Sequence, residues 1–580
     1  MHKVDSRTAF ETSAVASPQS LAPVRGGGAG SAAPFVDLGA DWGGGIVGRA
    51  RRAVASLGDR QLAVVLGGVL FALAAWPLAL TPVPPYQDLP NHLAAITVID
   101  HPASYPEFVA NGFLKTNAAL FTWLYVSSKV MPVALGAKLF TLLVLALNAL
   151  VLPRVVLDLT GSRAKMVVAT FFAWPMIHNW FVSMGMLDFA LGVPLSLMLL
   201  LALHRHARAP SISLKTSAGV LLLACATWYA HAFSLIVVHL LLLVHVATQT
   251  SWRERTQQAL RLFVPIAPAS AMLAASLYAH YTEPQGAIQG FLHLSRTLPV
   301  WELFYHLWAE YLWSFTKLEI SSFVPAVGLA LCGWIYRRDN VPFLGPVAFF
   351  VIGAMYFLMP YTATNWFHVN SRLIPYFWLF ALVRVPERLP HPKKLLGLLG
   401  LSAALYSVGL GVDFVRLEAD RQKFVVGIPY VPQGAKLLPL LFSRQITSEN
   451  TRSLIHAWGF YVMEKQTSAP LLFAHSRSFP VMYSDPPPQV QFNHLLLESF
   501  APTMGSDKAT CTSLREAGVY TECREPWVKL WAGFWEAATP LYDHVLMWDA
   551  TAEAAALVPP SYRVKFHQDR LTIYERIATP

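Results

Sequence analysis

The chain has 580 residues, 54% of them hydrophobic and 13% charged, with a mean hydropathy of +0.43. Soluble domains carry about 25% charged residues, so this composition excludes an ordinary water-soluble globule and describes a polytopic membrane protein. The formal net charge of +10 is explained by membrane topology and by attraction to anionic headgroups. No basic patch is interleaved with aromatics, which excludes nucleic acid as a partner. The four cysteines and the histidines show no metal-ligating spacing.

Residues 1–55 are rich in Ala, Gly, Ser and Pro, contain the run Gly26-Gly27-Gly28 and lack an apolar period; they read as a disordered cytoplasmic tail. The first apolar stretch, 61–80, is too long and too far from the start for a cleaved signal peptide, so it is expected to stay as an anchor. A span needs about 20 apolar residues, and about eleven stretches qualify: 61–80, 135–157, 165–183, 187–204, 216–230, 233–249, 260–280, 320–336, 341–360, 370–385 and 395–414. Basic residues concentrate in alternate loops, among them Arg49, Arg51, Arg52, Arg154, Arg163, Arg205, Arg208, Arg253, Arg337 and Lys393. Such loops stay in the cytoplasm, which predicts a cytoplasmic N-terminus and an outward C-terminal region. Residues 56–415 then form the transmembrane domain.

Two outer segments are long enough to hold structure. The first, about 81–134, contains a helical run from Asp88 to Ile99 and a second from Ala118 to Val130, both expected to lie at the membrane interface. The second, about 281–319, starts at Glu283-Pro284-Gln285-Gly286, a candidate mobile loop, and continues into an aromatic-rich interfacial helix. Residues 416–580 change in composition and are expected to fold as an extracytoplasmic α/β domain. Strands are expected at 437–442, 471–474 and 544–548, helices at 453–464 and 527–537, and a closing hairpin at 562–567 and 571–575. Cys225 and Cys332 fall inside spans as small buried groups; Cys511 and Cys523 lie in the outward region, where a disulfide is one of two open alternatives.

Ionisable groups in or beside a helical bundle are costly and so mark function. Asp88 follows the first span in Tyr86-Gln87-Asp88-Leu89-Pro90-Asn91-His92, and His92 falls four residues later on the same helix face. Asp88 is a candidate base, with Asn91 or His92 orienting an acceptor or touching a phosphate; the alternative is a helix N-cap. Asp188 stands where the third span turns into the fourth, as a second acid, a ligand for a possible divalent cation, or a cap. His231 occupies the next outer turn, as a substrate contact or a hydrogen-bonded structural histidine. Arg372 begins the tenth span and can hold a phosphate in bidentate fashion, with His368 one turn earlier; the alternative is an arginine snorkelling to headgroups.

An initial span, an acid in a long first outer loop, a second acid at the next outer turn, about eleven spans, a late outer arginine and a distinct C-terminal region together resemble the GT-C class of glycosyltransferases. That class includes protein mannosyltransferases and aminoarabinose transferases. The resemblance covers about 60–414, and it implies a catalytic role for Asp88, a second-acid role for Asp188 and phosphate binding for Arg372. The chain lacks an Asp-Glu pair in the first loop and a Trp-Trp-Asp motif in the C-terminal region, which argues against an oligosaccharyltransferase. The expectation is an inverting transferase of the bacterial inner membrane. It would move a sugar from a polyprenyl-phosphate carrier, held among membrane lipid, to a glycan, lipid or protein acceptor on the outer face. A transporter or flippase of lipid-linked substrates is the rival, but no internal repeat is evident and the polar candidates gather on one side; a non-catalytic assembly protein on the same scaffold is the third reading.

Overall fold

The computed structural model describes residues 56–211, 213–282, 297–362, 368–442, 448–474, 477–484, 534–550 and 552–577. The expected tail, the Glu283–Gly286 loop, Cys511 and Cys523 lie outside them. The bundle is built from α1 (Asp59–Ala75), α4 (Val133–Thr160), α5 (Arg163–Ala173), α7 (Leu187–Arg208), α8 (Leu214–Ala230), α9 (Ala232–Ala247), α10 (Trp252–Phe263), α11 (Ala267–Tyr281), α13 (Phe323–Ile335), α14 (Pro346–Leu358), α15 (Ile374–Leu382) and α16 (Pro392–Val425). The segments missing from this series are α2 (Leu89–Asp100), α3 (Ala119–Ser128), α6 (Trp180–Met184), α12 (Val300–Ala309), α17 (Gly459–Lys465) and α18 (Ala552–Ala556).

Among the described residues six helical segments are long and apolar enough to cross a membrane, with three shorter apolar helices beside them. The protein is therefore multi-pass, but the described residues do not confirm the expected count of about eleven spans. The stretch 165–183 breaks at Trp174-Pro175-Met176, a 3-10 turn, and Asn179 then caps the single-turn α6 by accepting from Val182 N at 3.3 Å. The stretch 370–385 begins as a 3-10 turn and keeps only nine α-helical residues, Ile374–Leu382. Conversely, 260–280 joins the amphipathic α10 through Val264-Pro265-Ile266 into one segment, Trp252–Ala279. Proline removes an amide and restricts its neighbour, so each break falls where the sequence places one.

α2 starts where expected, with Pro90 in the first turn, where its missing amide costs nothing. It does not lie on a surface: Leu89 to Ile96 and Val98 are all buried. The cover comes from the C-terminal region. Strand β1 (Phe108–Ala110) of the first loop pairs antiparallel with β3 (Val481–Tyr483), and Gly459 opens α17 against Pro90, where a Cβ would stand 2.3 Å from the Pro90 carbonyl oxygen.

The sheet of the C-terminal region runs β2 (Leu437–Leu441), β4 (His544–Trp548), β6 (Leu571–Arg576), β5 (Tyr562–Gln568); β2 and β4 are parallel and the rest antiparallel. Every residue of β2 and β4 is buried, as a sheet covered on both faces requires. The hairpin forms as read from its alternation, while Leu471–Ala474 folds as a turn because Asn91 holds its backbone. α16, with 34 residues, is about 51 Å long, well beyond the roughly 30 Å hydrocarbon core. Its last turn meets the sheet, with Tyr461 donating to Phe424 O at 2.8 Å and Phe424 packed on Trp548.

Candidate active site

A hub is made by the α6–α7 turn. Gly185 adopts φ +85°, and a Cβ there would sit 3.0 Å from both Asp88 N and Leu89 N; only glycine lets the two chains approach so closely. Gln87 N and Asp88 N donate to Ser183 O and Met184 O at 3.1 and 3.0 Å. Behind them, Tyr86 OH meets His178 Nε2 at 3.2 Å, and Tyr406 OH and Ser314 Oγ both donate to His178 O. The loop that carries Asp88 is thus fixed by backbone and by a buried polar network.

Asp88 occupies the N-cap position of α2, yet its side chain makes no capping bond. Its Oδ1 faces His456 Nε2 at 3.4 Å, and Gln87 Nε2 lies at the same distance; 13% of the side chain remains exposed. The partner His456 was not foreseen. It is 365 residues from Asn91 in sequence, and nothing in Leu454-Ile455-His456-Ala457-Trp458 announces a pairing with the first loop.

Asn91 faces the C-terminal region. Its Nδ2 donates to Leu471 O at 3.0 Å and its Oδ1 accepts from Phe473 N at 3.1 Å, so it clamps that turn onto α2. His92 packs edge-on against Phe121, with centroids 5.0 Å apart, and near Phe473. Burial lowers its pKa to about 4, against the pull of Asp88. At neutral pH it is an uncharged ring, and any contact it makes with a phosphate is a neutral one.

Asp188 lies in the first turn of α7, but the helix it caps is α3: Oδ1 accepts from Leu120 N at 2.7 Å. Leu120 adjoins Phe121, the ring that His92 packs against, so Asp188 and His92 meet neighbouring residues of one segment. His231 caps α9, accepting from Phe233 N at 3.1 Å through Nδ1, and packs on Phe189. It is also close enough to Arg372 to feel its charge.

Arg372 is buried, donates through Nη1 to His368 O at 3.1 Å and lies within the field of Glu310. Glu310 is the second residue that sequence reading missed. It accepts from Tyr361 OH at 2.7 Å, from His368 Nδ1 at 3.2 Å and from Ser371 Oγ, and His306 Nδ1 lies 2.7 Å away at ion-pair distance without hydrogen-bond alignment. Burial pushes its carboxyl up, but His368 and His306 outweigh that and hold it well below the usual carboxylate range. His368, at φ +57°, stacks edge-on against Trp180 of α6, with centroids 4.8 Å apart. The only signal for Glu310 was a lone acid in an aromatic run, Trp308-Ala309-Glu310-Tyr311.

These contacts place the candidates other than His231 around α6 and the turn after it, while His231 lies on Phe189 and within the field of Arg372. Asp88, Asn91, His92 and Asp188 gather at the C-terminal end of α6, and His368, Arg372 and Glu310 at its N-terminal end. Among the described residues no three His, Cys, Asp or Glu side chains are arranged to hold a metal ion. Chemically, the arrangement offers a largely buried carboxylate, with a small exposed fraction, beside an imidazole, and a buried guanidinium braced by a carboxylate.

No family model and no curated protein matches the chain. Among solved structures, the fold is similar to that of ArnT from Cupriavidus metallidurans in the apo state, with a TM-score of 0.48 and 13% identity, covering 88% of this chain and 97% of that one. No residue role is carried over from it.

Proposed function

We propose that this protein is an inverting glycosyltransferase of the GT-C type that moves a sugar from a polyprenyl-phosphate carrier to an acceptor on the outer face of a bacterial inner membrane. The observation that carries this reading is the Asp88 carboxylate. It stands at a helix start without capping it, keeps part of its surface open, and faces an imidazole from the far end of the chain.

The donor already holds its leaving group, so the protein must supply a base, a counter-charge and positioning. Asp88 takes the proton of the acceptor hydroxyl as its oxygen attacks the anomeric carbon from the face opposite the phosphate. The carbon–oxygen bond to the phosphate breaks, and the carrier leaves with the bonding pair as a phosphate anion. Arg372 balances that anion, and Glu310 with His368 holds Arg372 in place. His456 orients Asp88, while Asp188 and Asn91 hold the two walls, α3 and the 471–473 turn. A divalent cation enters no step of this scheme.

The test is transfer from a panel of radiolabelled polyprenyl-phosphate sugars in proteoliposomes. Asp88→Asn should lose at least about 100-fold in rate, as removal of a general base does, while its thermal unfolding in detergent stays that of the parent. An Asp88→Asn protein that folds and still transfers sugar sinks the catalytic assignment. A parent that moves lipid-linked sugars across the bilayer without transferring them establishes a flippase instead.

A further inference from the structure

The far end of α7 holds a feature that the transfer site does not use. A cavity of about 350 Å³ opens there, lined by Asp158, Leu201, His204, Arg205, Arg208 and Ala209. α7 has 22 residues from Leu187 to Arg208, which separates this cavity from the Asp88 hub by about 30 Å, the thickness of a hydrocarbon core.

Its charges are not balanced internally. Asp158 is shared, accepting from Arg154 Nε at 2.8 Å and pairing with Arg205. Arg208 reaches only the His204 ring, Nη1 to Nε2 at 3.3 Å, and forms no ion pair among the described residues. A helix C-terminus ordinarily repels anions through its orphan carbonyls. Here Arg261 of α10 donates to Ala207 O and Ala209 O at 2.7 and 3.4 Å, which covers the last carbonyls at the cavity wall. Behind His204, the Phe343 ring is held between His204 and His245, which steadies the imidazole that lines the cavity. What remains is a concave site with exposed guanidinium groups and its local negative dipole covered.

We propose that this cavity binds a phosphate group at the membrane face opposite the transfer site, presented by an anionic phospholipid headgroup. Guanidinium groups are suited to phosphate oxygens through paired hydrogen bonds, and basic pockets between spanning helices take lipid headgroups. The transfer reading does not depend on this site, and a failure here leaves that reading untouched.

The experiment measures thermal unfolding of the whole purified protein in nanodiscs of phosphatidylcholine, alone or with phosphatidylglycerol titrated in, and in detergent with inorganic phosphate. The parent should be stabilised in a saturable manner by phosphatidylglycerol, and Arg208→Glu, an exposed position, should shift the half-saturating fraction at least about tenfold. Arg253→Glu alters an exposed residue of α10 outside the cavity by the same charge and should leave the titration unchanged. Equal saturable protection by millimolar inorganic phosphate, lost in Arg208→Glu, supports the phosphate site and assigns it to the free ion. Unsaturable protection, or equal weakening by Arg253→Glu, overturns the proposal and leaves diffuse surface attraction.

Discussion

An aspartate at a helix N-cap ordinarily spends an oxygen on the second or third amide of its helix. Asp88 spends none there, whereas Asp188 spends one on a neighbouring helix, and this difference separates their roles at the scale of single residues. Asp188→Ala leaves Leu120 N without its acceptor and should lower stability by about 1–3 kcal/mol. Asp188→Asn retains an acceptor oxygen and should keep both stability and most of the transfer rate; thermal unfolding alongside the transfer assay distinguishes the two. His92 gives a pH signature. Its folded pKa of about 4 lies below the ordinary histidine value, so between the two the unfolded chain binds more protons and stability falls with acidification. The contribution is complete above pH 6.5 and is lost towards pH 4, about 3 kcal/mol at most. The Glu310 carboxylate adds a further loss below its ordinary titration range. His92→Gln should reduce the slope of the pH 4–6.5 part of the unfolding profile and leave the more acidic part unchanged.

At the scale of elements, two glycines decide how close the parts of the site come. Gly185 brings the α6–α7 turn onto the Asp88 backbone, and Gly459 brings α17 onto α2. A side chain at 459 meets a backbone carbonyl, which cannot rotate away. Gly459→Val should therefore push α17 off α2, withdraw His456 from Asp88 and cost at least about 2 kcal/mol by overpacking; the displacement is read as faster proteolysis of the C-terminal region. The α2 and α3 runs, the anchor helix and the closing hairpin were legible because each is a continuous apolar or alternating pattern with its own end signals. The broken segments at 165–183 and 370–385 were not, since hydropathy averages over a window and does not register where a proline divides it.

The whole molecule is closed by its C-terminal region folding back on the first loop, through the Asn91 clamp, the β1–β3 pair and the Asp88–His456 contact. Asn91→Ala removes three bonds to that region, to His456 Nδ1, Leu471 O and Phe473 N, and should lower stability by about 2–3 kcal/mol. It should also reduce kcat more than donor KM, because His456 loses its position while the arginine side of the site is intact. Steady-state kinetics in proteoliposomes measure that split. Composition and the spacing of apolar runs were enough to establish a multi-pass helical protein and to place Asp88, Asp188, His231, His368 and Arg372 near helix ends. Those are properties of local stretches, and a local pattern is all that a hydrophobic period contains. Which carboxylate is a cap and which is open, that Asn91 is a clamp, and that Glu310 and His456 belong to the site were decided only by tertiary structure. Each depends on a partner between 51 and 382 residues away or on a backbone approach that one missing Cβ allows, and neither leaves a mark in the sequence around it.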